Sequence, residues 1–81
     1  MPTIKALLEK MHNQPAGIRF EELQRVLEYC GYQLVRIKGS HAQFRNEAGD
    51  VLTIKKETPV KAVYVKDVLR RVGKQNESEK R

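Results

Sequence analysis

The stretch "GSHAQFRNEAGDVLTIK", residues 39–55, decides the fold of this 81-residue chain. Apolar residues alternate with polar ones in two runs, and the apolar positions are Ala42, Phe44, Leu52 and Ile54. Alternation with a period of two is typical of β-strands that bury one face. The segment between the runs, Asn46 to Asp50, has the composition of a turn. The pattern therefore predicts two antiparallel strands, Ser40–Arg45 and Val51–Lys55.

A third strand precedes this pair. The segment YQLVRIK, Tyr32 to Lys38, is rich in β-branched and aromatic residues, and Gly39 separates it from the next strand. Together the three runs predict an antiparallel meander. The orientation of the first strand stays open, because Leu34 on one face competes with Val35 and Ile37 near the other.

Three further segments carry apolar residues at the spacing of one helical face. The first stripe is Ile4, Leu7, Leu8 and Met11, and the segment NQPAG breaks the helix after it. The second stripe is Phe20, Leu23, Val26, Leu27 and Cys30. Gly31 follows it at the position of a left-handed C-cap. The third stripe is Ala62, Val65, Leu69 and Val72, and it predicts a helix that ends at Gly73.

This order of elements predicts an α+β fold, α-α-β-β-β-α, with a three-stranded antiparallel sheet and helices packed on one of its faces. A chain of 81 residues favours a single domain. We assign residues 1–73 to that domain. Residues 74–81, KQNESEKR, lack apolar side chains and are expected to form a disordered tail. The second sheet face is left free and is the natural binding surface.

The charge balance favours a polyanionic partner. The chain has 16 Lys and Arg against 10 Asp and Glu, which gives a formal charge of +6 and a pI near 9.7. Nucleic acid is the first candidate partner and an acidic protein the second. Solubility alone stays an alternative, because many small domains are equally basic.

The cysteine count and the hydropathy pattern restrict the cellular compartment in which the protein is expected. Cys30 is the only cysteine, which excludes an intrachain disulfide and a cysteine-rich metal site and fits a reducing compartment. Its place on the second apolar stripe indicates a core residue. No apolar run approaches the roughly 20 residues that cross a bilayer. We therefore expect a cytoplasmic protein that makes no membrane contact, and the sequence gives no sign of a cofactor.

Period-two geometry places one histidine on the free face of the sheet. If the apolar positions of the last two strands point toward the helices, the opposite side carries His41, Gln43, Arg45, Thr53 and Lys55. Lys38 lies close to His41 through the Gly39 link, and Ser40 supplies a hydroxyl beside it. The free face is therefore expected to hold one imidazole among cations.

This combination suits the cleavage of a phosphodiester through an internal hydroxyl. Histidine exchanges protons near neutral pH, and neighbouring cations can hold a phosphate and stabilise its transition state. RNA has the required 2′-hydroxyl and DNA does not. The alternative is that His41 merely occupies an exposed strand position. His12 lies at the end of a short helix, where it is expected to act as a partner of the helix dipole.

The chain resembles the HicA family of small toxin ribonucleases from bacterial toxin–antitoxin modules. The resemblance covers residues 19–73: RFEELQRVLEYCGY, then RIKGSHAQFRN, VLTIKK and VKAVYVKDVLRRVG. The leading residues 1–18 resemble the N-terminal helical extension of a longer subgroup. The hallmark is Gly31 at the helix end, followed by the Gly39-Ser40-His41 triplet and Phe44.

The resemblance implies a fold like that of double-stranded-RNA-binding domains and an mRNA interferase that cleaves without a metal. The family's functional histidine falls on His41, and Lys38 and Ser40 would bind or orient the RNA phosphate. With the outer strand positions, the predicted RNA-binding residues are Arg36, Lys38, Ser40, Gln43, Arg45 and Lys55. A HicB-like antitoxin is the implied protein partner, in a hetero-oligomer that buries the histidine face.

Two departures from the family pattern bear on the chemistry. Many relatives have a second histidine directly after the first, and here that position is Ala42. The segment after the third strand, KKETPVKAVYV, lacks a proline-led helix start. With one imidazole, His41 would act as base while Lys38 or Arg45 stabilises the leaving phosphate, or water would protonate the leaving oxygen. The alternative function is a non-catalytic module of the same fold that binds RNA or an antitoxin.

Overall fold

The structure, a computed structural model, describes residues 3–79, with side chains as far as Val72. Three helices and three strands follow one another in the order α-α-β-β-β-α, and a short 3₁₀ turn at Pro15–Gly17 joins the first two helices. The helices are α1 (Ile4–Asn13), α2 (Phe20–Tyr29) and α3 (Ala62–Glu79). The strands are β1 (Gln33–Lys38), β2 (His41–Arg45) and β3 (Val51–Lys55). This confirms the predicted α+β fold class, and the arrangement is compatible with the fold of double-stranded-RNA-binding domains.

The sheet is antiparallel in the order β1-β2-β3, so β2 is its central strand. The pairing of β2 with β3 is regular, from His41 opposite Lys55 to Arg45 opposite Val51. The pairing of β1 with β2 contains an irregularity between Leu34 and Arg36. A bulge of this kind inserts one extra residue and changes which side chains face which side.

The bulge answers the question of how β1 is oriented. Leu34 lies opposite Phe44 and Ile37 lies opposite Ala42, so both aliphatic residues share the helix-facing side. In a strand without a bulge, Leu34 and Ile37 are three residues apart and strict alternation would send them to opposite faces; the extra residue, Val35, brings them to the same face. The helix-facing side is not fully covered along β1, since Ile37 is 48% exposed.

The core lies between the sheet and the helices and is apolar throughout the described side chains. Phe44 is fully buried near its centre, with its ring centroid 6.2 Å from that of Phe20. Helix α1 packs against α2 and α3 and buries Leu7 and Met11. The buried residues are Leu7, Met11, Ile18, Phe20, Leu23, Val26, Leu27, Tyr32, Ala42, Phe44, Leu52, Ile54, Val60, Val65, Val68 and Val72. The N-terminal segment is therefore part of the same core as the sheet.

One carboxylate joins the first two helices. Glu22 accepts a hydrogen bond from the Arg19 backbone N–H (2.9 Å), which caps α2, and two from Lys10 Nζ of α1 (3.0 and 2.9 Å). Burial raises the pKa of Glu22, but these hydrogen bonds outweigh it and hold the pKa below its ordinary value. At neutral pH the side chain is therefore ionised and ties α1 to α2.

Helix α3 ends later than the sequence pattern predicts. The sequence pattern predicts its end at Gly73, whereas the helix runs to Glu79. A glycine inside a helix costs only about 1 kcal/mol relative to alanine, and the Lys, Gln and Glu residues that follow are good helix formers. The disordered tail over residues 74–81 stays a prediction, and Lys80 and Arg81 lie outside the described residues. None of the helices over the described range is long and apolar enough to cross a membrane.

A polar network ties the β2–β3 turn to α3 and to the start of β1. Asp50 accepts hydrogen bonds from the Tyr32 hydroxyl and from the Arg71 guanidinium, and Arg71 also donates to Asp67 of its own helix (3.2 Å). The hydrogen bonds from Arg71 and Tyr32 hold the pKa of Asp50 below its usual range. The ionised form of Asp50 is therefore the one that stabilises the fold.

We expect the Asp50→Asn variant to unfold at a lower temperature than the wild type at pH 7. The difference is of order 0.5–1 kcal/mol, because Asp50 is partly exposed. The folded-state pKa of Asp50 lies below its unfolded value of about 4, so this stabilisation is complete above that value. It is lost as the pH falls through the folded-state pKa. Thermal unfolding followed by circular dichroism between pH 7 and about pH 2.5 measures it, and a gap between the two proteins that persists at the lowest pH contradicts the assignment.

Candidate nucleic-acid interface

The face of the sheet that points away from the helices carries three rows of side chains. The register places one residue of each strand in each row. From the Gly39 end the rows are Lys38-His41-Lys55, Arg36-Gln43-Thr53 and Gln33-Arg45-Val51. We call these nine residues the outer face. It contains every strand residue that the sequence predicts for RNA binding, together with His41.

His41 occupies the middle of the first row. It lies opposite Lys38 of β1 and opposite Lys55 of β3, so a lysine flanks it on each side. Residues directly opposite in antiparallel strands have Cβ atoms about 4.5–5.5 Å apart, within reach of long side chains. His41 and Lys38 are exposed and Lys55 is half-buried. The row can therefore present one imidazole between two ammonium groups to the same ligand.

A two-residue turn, Gly39-Ser40, precedes His41 and positions it in the first row. Gly39 has φ +60°, whereas Ser40 does not have a positive φ, and glycine at the first central position is typical of a type II′ hairpin turn. The carbonyl oxygen of Ser40 accepts a hydrogen bond from the Lys56 N–H (2.6 Å). This bond extends the β2–β3 ladder by one residue beyond His41. The backbone before and after His41 is thus held by neighbouring strands.

The outer face is strongly cationic. Its nine positions include Arg36, Lys38, Arg45 and Lys55, and none of them is a carboxylate. A sheet surface with four cations and no anion attracts phosphate oxygens. Thr53 and Gln43 add uncharged hydrogen-bonding side chains in the middle row. The surface is suited to a phosphodiester backbone that runs across the strands.

Sequence reasoning missed one acidic neighbour of this face. Glu57 follows β3, and its Oε2 lies 3.8 Å from Lys55 Nζ. The signal that could have found it is the period of two, which places residue 57 on the same side as residue 55 if the chain stays extended. Pro59, which follows, indicates instead that the strand has ended, so the alternating pattern does not predict the side on which Glu57 lies.

The remaining candidates lie elsewhere. His12 is exposed near the end of α1, and Cys30 is half-buried and packs against the core. Among the described residues, no three His, Cys, Asp or Glu side chains come together as metal ligands. A shallow groove of about 640 Å³ lies at the far end of the sheet, with Glu28, Tyr32 and Glu47 in its lining. None of the outer-face cations lines it, so it does not extend the cationic surface.

Comparison with known proteins gives one family. The family model described as "HicA toxin of bacterial toxin-antitoxin" matches residues 20–74, about two thirds of the chain. This range begins with α2 and includes the whole sheet. No curated protein and no solved structure matches the chain significantly.

We expect Gly39→Ala to destabilise the protein by about 1–2 kcal/mol, because a Cβ at φ +60° is strained even though open space surrounds the position. The matched control is Gly17→Ala, whose added Cβ meets only ordinary contacts near 3.6 Å, so its stability should be unchanged or slightly higher. Urea unfolding of the two variants and the wild type measures both effects. Equal stability of the two variants would show that the turn does not need a glycine at residue 39.

Proposed function

The chain belongs to the HicA toxin family of toxin–antitoxin systems, and from this membership we propose that it is a metal-independent endoribonuclease that cleaves mRNA in the cytoplasm. One observation carries the proposal: His41 lies on the open face of the sheet in one row with Lys38 and Lys55. A histidine between two cations offers proton transfer and phosphate binding at the same point.

Cleavage in this proposal uses the RNA's own nucleophile. The ribose 2′-hydroxyl attacks the adjacent phosphorus, and a positioned acid–base group moves a proton in the transition state, which typically contributes 10²–10⁴-fold in rate. His41 is that group. Lys38 and Lys55 lie on either side of it and stabilise the negative charge that grows on the phosphate oxygens.

The rest of the outer face holds the strand in register. Arg36 in the second row and Arg45 in the third bind phosphates on one side of the scissile one, and Gln43 hydrogen-bonds to sugar or base edges from the row of Arg36. Ser40 is exposed directly before His41, where its hydroxyl and the turn backbone approach the phosphate. The path of the RNA therefore crosses all three strands.

The same face is the proposed binding surface for a HicB-like antitoxin. An inhibitor of a site that lies on an open sheet must cover the sheet itself. Carboxylates of the partner would take the positions of RNA phosphates opposite Arg36, Lys38, Arg45 and Lys55. RNA and antitoxin would then exclude each other, and the resting protein would be a hetero-oligomer with its antitoxin.

We expect His41→Ala to lose at least 100-fold of the RNA-cleavage rate in the presence of EDTA, because the proton-transfer group is removed. Its melting temperature should be close to that of the wild type, since the His41 side chain is exposed. The measurement is single-turnover cleavage of a labelled mRNA fragment, together with a thermal unfolding curve.

The control for this variant is His12→Ala, which removes the other histidine from an exposed position on α1 and should cleave like the wild type. Wild-type protein that binds RNA but never cuts it would overturn the ribonuclease proposal and favour the non-catalytic RNA-binding module. Wild-type protein that neither binds nor cuts would favour a module that binds only an antitoxin.

We expect Lys38→Ala to weaken binding to a non-cleavable 2′-O-methyl RNA, because one phosphate contact of the outer face is lost. The slope of log Kd against log salt concentration should fall by about 0.7 in magnitude, the value for one phosphate contact on a single strand. Lys66→Ala is the matched control, since Lys66 is also exposed but lies on α3 and not on the outer face. Equal losses in the two variants would indicate that binding depends on net charge and not on the outer face.

A further inference from the structure

Glu57 is a carboxylate at one end of the row that contains His41. It lies just beyond β3, and its Oε2 is 3.8 Å from Nζ of Lys55, the residue opposite His41. The outer face itself carries only cations and uncharged side chains. Glu57 therefore adds a different chemistry, that of an acceptor, to one end of this row.

The backbone around residue 56 fixes the side on which Glu57 lies. Lys56 continues the ladder through its N–H, which donates to the Ser40 carbonyl oxygen, and its ammonium group lies 5.5 Å from the ring centre of Phe20, on the helix side of the sheet. Residues on either side of an inward-facing strand residue point outward. The contact between Lys55 and Glu57 agrees with this geometry.

The carboxylate oxygens of Glu57 lack close hydrogen-bond donors in the described part of the chain. Its Oε1 is buried and has no hydrogen-bond partner among the described residues. Its Oε2 has Lys55 at 3.8 Å, which is an ion pair but is longer than a hydrogen bond. Oε1 is closed to a ligand, but the Glu57 side chain is 30% exposed, so a donor brought by a ligand is accepted at Oε2. The carboxylate is thus short of one hydrogen bond.

RNA bound to the His41 row brings a suitable donor. A phosphate held by Lys38 and Lys55 has the 2′-hydroxyl of the preceding ribose directly beside it. That hydroxyl is the donor nearest to the scissile phosphate, and it is also the nucleophile of the cleavage proposed above. Exocyclic amino groups of the bases are the other donors that RNA offers.

On the basis of the proposed function, we propose that Glu57 accepts the hydrogen bond of the ribose 2′-hydroxyl and takes its proton, while His41 protonates the leaving oxygen. The 2′-oxygen forms a bond to phosphorus as the bond from phosphorus to the 5′-oxygen breaks. The proton of the 2′-hydroxyl goes to Glu57, and the proton of the His41 imidazolium goes to the 5′-oxygen. The products are a 2′,3′-cyclic phosphate and a 5′-hydroxyl, and no further reactant is needed.

With these roles the reaction has both a base and an acid although the outer face carries a single histidine. Ala42, which follows His41, is buried and could not present a proton-transfer group to the outer face. Two groups on opposite sides of the phosphate suit an in-line displacement, in which the attacking and leaving oxygens lie on opposite sides of phosphorus. Lys55 lies between His41 and Glu57 and holds the phosphate there.

Glu57→Gln tests the assignment, because it removes the proton acceptor but keeps the shape of the side chain. We expect single-turnover cleavage of RNA to fall about 100-fold or more. We expect the Kd for non-cleavable 2′-O-methyl RNA to stay equal or to decrease, since a negative charge near the phosphate is lost. Glu47→Gln is the control, an exposed carboxylate in the β2–β3 turn at the other end of the sheet, and it should cleave like the wild type. Glu57→Asp keeps the charge and is expected to cleave at an intermediate rate.

A substrate with a bridging sulfur in place of the 5′-oxygen, at a bond that the wild type cuts, separates the two roles. A thiolate leaves without a proton, so this substrate should restore most of the rate to His41→Ala and none to Glu57→Gln. Cleavage of ordinary RNA by Glu57→Gln at the wild-type rate would overturn the inference alone, and so would rescue of that variant by sulfur. A defect of Glu57→Gln confined to one base at the cleavage site would assign Glu57 to a base amino group instead. Wild-type protein that cuts no RNA would overturn the proposed function together with the inference.

Discussion

The burial of Ala42 and Phe44 on the central strand is the constraint on which the rest of the structure depends. Both side chains are fully buried, and the Phe44 ring contacts the Phe20 ring of α2. Because side chains alternate along a strand, burying these two residues turns His41 outward. A slip of one residue in register would exchange the two faces and bury a histidine and two polar neighbours. The same contacts that close the core therefore expose the candidate site.

The outward orientation of His41 could be predicted because apolar and polar residues alternate without interruption along β2 and β3. Strand β1 could not be oriented, because the run of Leu34, Val35 and Ile37 offers apolar residues to both faces. The bulge at Val35 resolves the conflict, and it depends on pairing with β2, which no local pattern encodes. The stripe of α1 indicated that one face is buried, but not that Leu7 and Met11 join the core formed by the sheet.

Glu57 and the end of α3 were missed for a related reason. In both cases the chain contains a residue that normally ends an element, Pro59 two residues after Glu57 and Gly73 six residues before the end of α3. A terminating residue sets a local preference of about one to a few kcal/mol, and tertiary contacts or good helix formers can outweigh it. At residue 56 the hydrogen bond to Ser40 carries the sheet geometry past β3, and this places Glu57 beside Lys55.

The position of the site on an open sheet has a consequence for its control. A cleft can be closed by a loop or a lid of the same chain, whereas the strands of the outer face are joined by two short turns, Gly39-Ser40 and residues 46–50. The chain holds these turns in place, the first through the bond from Lys56 to Ser40 and the second through Asn46, Asp50 and Arg71. Neither turn can cover nine side chains spread over three strands. Under the proposed function, inhibition therefore falls to a second protein that covers the sheet. In that proposal the four cations of the outer face would hold either RNA phosphates or carboxylates of the antitoxin, but not both at once, so that the two ligands compete for one face.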